Sequence, residues 1–147
     1  MTVQEVLAKV DVLKPSRFDR PTKLTWLAQI EGQIFHEIVC THESPPILPP
    51  HIDKDCPPDY ELIAPFPYDD VYVLWLECQI DLGNQEITKY NNDRVLFNNA
   101  LMTLRDFWNR TYMPKERVHN FHFNEHPRHY DGHRLFSRQG PLGGERD

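Results

Sequence analysis

Glycine is scarce in this chain, and where it occurs matters. Of six glycines, four fall at or after Gly132, so the body has no glycine-rich loop to cradle a nucleotide phosphate. The three cysteines, Cys40, Cys56 and Cys78, form no close pair and no metal spacing. Their odd number suits a reducing compartment. Cys40 and Cys78 fall inside predicted helices and are expected to be buried thiols. No apolar run nears the ~20 residues needed to span a bilayer, and no apolar signal region opens the chain. The expectation is a soluble protein made in a cytoplasm, with no membrane partner. Basic residues are short as well: 16 Lys and Arg stand against 22 Asp and Glu, a net charge of −6. The deficit lies in the body, where residues 1–112 carry 10 basic and 17 acidic side chains, while residues 113–147 carry 6 and 5. An acidic body argues against a sequence reader that grips phosphates. It leaves open a surface past which DNA slides.

What is present is helical periodicity. At 147 residues the chain has room for one domain and an arm. The spacing predicts a first helix over 3–13, with Thr2 and Glu5 as a capping box and Val3, Val6, Leu7, Val10 and Leu13 as its apolar face. Pro15 closes it. A second helix over 22–41, capped by Asp19 or Thr22, has the stripe Leu24, Leu27, Ile30, Ile34, Phe35 and Ile38. Gly32 lies in its middle, by tolerance or to admit a close neighbour. A third helix, over 67–82, starts with Pro67 in the first turn and Asp69 and Asp70 at the positive end of its dipole. Val71, Leu74, Trp75, Cys78 and Leu82 form one face; Val73, Leu76 and Ile80 form the opposite one. A helix apolar nearly all round is a central helix. Gly83 is placed to end it, and the short link makes a fourth helix, over 85–112, antiparallel to it. The fold expected is all-α: a small bundle of about four main helices, residues 1–112, with a long proline-rich loop over 42–66 and a C-terminal arm over 113–147. That loop holds seven of the 13 prolines, which excludes helix. Tyr60–Ile63 is its best candidate for a short strand.

The candidate chemistry is thin. His119, His122, His126, His129 and His133 recur at steps of three and four, and imidazole is a common metal ligand. Pro127 and Gly132 break the helix that would align them, and no Cys or helical Glu completes a ligand pattern. Exposed or interface histidines are expected, with no metal, no cofactor and no catalysis. Asp70, Glu77 and Asp81 line one side of the third helix without a partner His or Lys, so a solvated face is the reading preferred to a carboxylate or cation site.

The fourth helix is more informative. Ile87, Tyr90, Phe97, Leu101, Leu104 and Trp108 make its core stripe. Asparagine pairs interrupt it, Asn91 and Asn92 and then Asn98 and Asn99, although Asn costs a helix interior up to roughly 0.7 kcal/mol. Asn91, Asn98 and Asn109 fall on one edge of the stripe beside Val95 and Met102; Leu96 and Phe107 lie on the other flank. Plain surface and amide bonding to another helix or subunit are equal readings of the asparagines. Asn91, Leu96, Asn98 and Phe107 are the candidate inter-subunit or inter-helix contacts. In the arm, Phe121, Phe123, Tyr130 and Phe136 are surplus to the bundle core and interleave with Arg117, Arg128 and Arg134. Aromatics and arginines are the residue types enriched at interface hot spots, so these seven are the candidate docking residues.

The ordered set TVQEVLAKVDVLKP, TKLTWLAQIEGQIFHEIVCTHE, a proline-rich loop, and ELIAPFPYDDVYVLWLECQIDLGNQEITKYNNDRVLFNNALMTLRDFWNRTYMP resembles a family of head–tail connectors, or adaptors, of tailed bacteriophages and prophages. The most specific pieces are Pro65–Tyr68 with Val71 and Tyr72, and Tyr90-Asn91-Asn92 with Phe97-Asn98. The resemblance covers about residues 1–114; the arm departs from it. It implies a structural virion protein of the neck, not an enzyme. Such a protein forms a homo-oligomeric ring, typically a dodecamer, beneath the portal protein and above a downstream neck or tail protein. DNA passes through the lumen without sequence-specific binding. The portal is then the first candidate to receive the arm and a neighbouring subunit the second. Two other readings stay open: a cytoplasmic helical interaction or regulatory module, and a metal-dependent hydrolase built on the histidines.

Overall fold

The computed structural model describes residues 1–115. It is a small helical bundle with no named strand among those residues. Helix α1 spans Val3–Leu13. Thr2 caps it: the Thr2 backbone N–H donates to Glu5 Oε2 at 2.7 Å, and the Glu5 N–H donates to Thr2 Oγ1 at 3.3 Å. Val3, Val6, Leu7 and Val10 are buried. Leu13, expected on the same face, is 57% exposed, because the helix ends there and the inward turn is taken by Lys14.

Helix α2 spans Arg20–Ile34, with Asp19 accepting from the Thr22 N–H at 3.0 Å and Pro21 in the first turn. The expected helix over 22–41 does not continue as one α-helix. Phe35–Val39 form a π turn, closed by the Cys40 N–H donating to the Phe35 carbonyl at 2.9 Å. A wide turn adds a residue to the register and rotates the residues after it. Ile38 and Val39 therefore face inward, Cys40 is exposed rather than buried, and His42 is buried. A Cβ at Gly32 would meet nothing within 4 Å, so that glycine is tolerated rather than required by a neighbour.

Helix α3 spans Asp70–Gly83 and is the central element, packing against α1, α2 and α4. It starts three residues later than expected. Pro67 is not in its first turn; it lies in a preceding turn closed by the Tyr68 N–H to the Pro65 carbonyl at 2.8 Å, with a cis Phe66–Pro67 bond. Val71, Tyr72, Val73, Leu76, Cys78 and Ile80 are buried. The end of the helix differs from the predicted face: Leu82 is 43% exposed and Asp81 is buried instead. Gly83 is the last helical residue, and a Cβ there would lie 2.5 Å from the Phe18 ring. Close approach, not backbone conformation, explains this glycine. The left-handed residue of the link is Gln85, at φ 61°.

Helix α4 spans Ile87–Thr111 and lies mainly along α3. It buries Phe97, Leu104 and Trp108 fully; Trp75 on α3 and Leu101, both expected in the core, are half-buried. Trp75 stacks obliquely on Phe97 with ring centroids 5.1 Å apart. Its Nε1 donates to the Trp26 carbonyl at 2.8 Å. Ile87 is 55% exposed, since the first turn of α4 projects beyond the core.

Tyr60–Ile63 forms no strand. It pairs with the N-terminal residues through a single bridge, Thr2 to Glu61, with Val3 N–H to the Tyr60 carbonyl at 3.0 Å and Leu62 N–H to the Met1 carbonyl at 3.2 Å. The next step of the loop is held by a buried carboxylate. Glu31 Oε1 accepts from the Ile63 N–H at 2.9 Å, Tyr72 donates its hydroxyl proton to Glu31 Oε2, and the Tyr72 oxygen accepts from the Ala64 N–H at 2.9 Å.

Candidate interaction surface

The sequence-predicted contact residues of α4 separate into two groups. Asn91, Val95, Asn98 and Met102 recur at steps of four, three and four, so they share one face. All four are exposed, Val95 at 59% and Met102 at 60%. No hydrogen bond ties the side chains of Asn91 or Asn98 among the described residues. Asn109, expected in the same row, is turned to another use: its side-chain amide meets Nε2 of buried His42 at 2.7 Å, while His42 Nδ1 donates to the Ile38 carbonyl at 2.7 Å. On the opposite flank Leu96 is 54% exposed. Phe107 is half-buried and stacked on Tyr68 at 4.7 Å, so it is committed to the chain's own loop.

The end of the described chain has its own anchorage. Beyond α4, residues 113–115 run antiparallel to 41–43: Glu43 N–H donates to the Met113 carbonyl at 2.8 Å, and Lys115 N–H donates to the Thr41 carbonyl at 2.9 Å. The π turn presents the 41–43 segment, and α4 delivers the other side. A cleft of about 520 Å³ opens beside this pairing, lined by Glu37, Cys40, Arg105, Asn109 and Lys115 among others. The arm residues Arg117, Phe121, Phe123, Arg128, Tyr130, Arg134 and Phe136, and all five histidines from His119 to His133, lie outside the described residues.

The carboxylates of α3 are structural. Asp70 pairs with Lys9 at 2.6 Å on the surface. Asp81 is not solvated as expected: it is buried and accepts from Lys14 at 2.6 Å, and Lys14 also binds Asp93 of α4. Burial pushes the Asp81 carboxyl up, whereas Asp93, though burial opposes it, is held down by the Lys14 ammonium. Lys14 itself is raised, its two carboxylate partners outweighing desolvation. One cation thus joins the ends of α1 and α3 to the start of α4. Glu77 is raised by burial. No group of three or more His, Cys, Asp or Glu side chains among the described residues is arranged to hold a metal ion, and no described helix is long and apolar enough to cross a membrane.

Comparison with protein-family models, with curated proteins and with solved structures finds no match to this chain.

Proposed function

We propose that this protein is a head–tail connector: a structural subunit that assembles with copies of itself into a ring, about a dodecamer, between a portal protein and a downstream neck or tail component of a virion. The observation that carries the reading is the outer row of α4. A 25-residue helix spends two Asn and two large apolar side chains, in register, on solvent. In an isolated subunit that row has no function; against a neighbouring helix the apolar pair is covered and the amides find partners. The reading is non-enzymatic and needs no cofactor. The net-acidic body suits a channel wall that lets DNA pass without holding it. Residues 113–115 fix where the arm leaves the bundle, which suits an arm directed to the portal or a neighbour.

The test is coexpression with the portal protein of the same genome, followed by electron microscopy of purified portal rings. Added ring density beneath the portal, lost in an Asn98→Arg, Val95→Glu variant that keeps its fold, is the expected result. Portal rings that never gain density, with the parent protein remaining apart, would overturn the reading in favour of a cytoplasmic interaction module. Truncation after Pro114 should leave a folded bundle that fails to join the portal.

A further inference from the structure

The loop between the π turn and α3 carries a second, separate surface. Residues 44–50 read Ser-Pro-Pro-Ile-Leu-Pro-Pro and have neither helix nor bridge. Their exposure repeats every three residues. Ser44, Ile47 and Pro50 are partly buried, whereas Pro45, Pro46, Leu48 and Pro49 are exposed, Leu48 at 87%. Three residues per turn is the period of the polyproline II helix, which has no internal hydrogen bonds. In keeping with that, the backbone N–H groups of Ile47 and Leu48 have no acceptor among the described residues. The segment is tied down at both ends. Ser44 Oγ donates to the Val39 carbonyl at 3.3 Å, Ile47 packs against the core, and the His51 N–H donates to the Tyr60 hydroxyl oxygen at 3.3 Å.

We infer that residues 44–50 form a pre-built polyproline II ridge that docks in an aromatic-lined groove of a partner protein. With Ile47 pinned inward, Pro45 and Leu48 make one outer edge and Pro46 and Pro49 the other. The ridge thus offers two apolar dipeptides, Pro45–Pro46 and Leu48–Pro49, one on each side of Ile47. Grooves walled by aromatic side chains accept such dipeptides, and the fixed helix lowers the ordering cost of binding. Among the described residues, exposed Glu43, Asp53 and Asp55 outnumber Lys54 and Lys115 around the ridge, so the fitting groove has a basic rim. This inference goes beyond the ring reading and does not depend on it; α4 is not involved.

The experiment uses the full isotope-labelled chain, titrated in turn with an isolated SH3 domain and an isolated WW domain, two unrelated aromatic-groove folds, each chosen with a basic rim to its groove. The amides of Ser44, Ile47, Leu48 and His51 should shift saturably with at least one of them, while those of α4 stay put. A Leu48→Ala, Pro49→Ala variant should bind about tenfold or more weakly at an unchanged melting temperature, a loss of roughly 1.4 kcal/mol or more. Ile47→Ala, on the inner edge, should instead lower the melting temperature. The inference is overturned if neither domain shifts those amides, if the shifts survive the double substitution, or if Leu48→Ala destabilises the fold as much as Ile47→Ala does.

Discussion

Replacing Glu31 with Gln tests the anchorage of the loop through pH. Glu31 is fully buried and its pKa is raised from 4.5 to about 7. Desolvation drives the rise; the Tyr72 hydroxyl, the Ile63 N–H and the Met1 amine oppose it without winning. The folded state therefore keeps a proton that the unfolded chain has already released, and stability falls as pH rises from about 4.5 towards 7. Between pH 5 and pH 8 this single group should remove about 2.5 kcal/mol. Glu77 and Asp81, also raised, act in the same direction, whereas Asp93, lowered from 3.8, is ionised in both states across this range and adds no slope. Glutamine has no proton to lose and its carbonyl still accepts from Ile63, so the difference between parent and variant isolates the Glu31 share. Urea unfolding at pH 5, 6, 7 and 8 gives the midpoints, with a constant slope confirming that the same surface is exposed. The parent should lose about 2.5 kcal/mol more than Glu31→Gln across that range. Parallel pH profiles for the two proteins would refute the buried, protonated carboxyl.

Trp108→Ala should cost about 3–5 kcal/mol, because the indole is nearly fully buried between Phe107 and Tyr112; equilibrium unfolding measures it. Lys14→Met leaves Asp81 and Asp93 facing each other without their shared cation and should cost roughly 2–4 kcal/mol, with part of the loss recovered by adding Asp93→Asn. Gln85→Gly removes the side chain from a left-handed residue at φ 61° and should raise the melting temperature, for a gain of about 0.5–1 kcal/mol. Val95→Glu on α4 should leave the melting temperature of the dilute protein unchanged within about 0.5 kcal/mol, because the site is exposed.

The four helices are legible because apolar residues recur at helical steps, on one face in α1, α2 and α4 and nearly all round in α3, and because punctuation marks the ends: the Thr2–Glu5 box, Asp19 before Pro21, and Pro114 after the last helix. What is not legible depends on contacts without periodicity. The π turn leaves no composition mark, yet it decides that Cys40 faces out and His42 faces in. Glu31, outside the apolar stripe of α2, is buried because Tyr72 and the Ile63 N–H close on it. Asp81 is inward for the same kind of reason, a lysine 67 residues away. The short strand over Tyr60–Ile63 is half right: the extended piece is there, but its partner is the N-terminus, a pairing set by backbone groups alone. On the candidate surface, exposed Asn91, Leu96 and Asn98 follow from the helical wheel. The bond from Asn109 to His42 and the stacking of Phe107 do not. The prolines of 44–50 are visible as a helix exclusion; their period of three becomes visible only with the burial of Ile47.

Helix α1 packs chiefly on α3, and its leading residues hydrogen-bond to residues 58–62. A ribosome adds about 5–20 residues each second. Helix α1 is therefore several seconds old before α3 has been synthesised. For that interval Val3, Val6, Leu7 and Val10 have no face to cover them, and an isolated 11-residue helix is marginal in water. Helix α1 is thus the element that waits. Stalled nascent chains ending near residue 60 should be cut by protease within α1, whereas chains long enough to expose all of α3 and α4 outside the ribosome should resist.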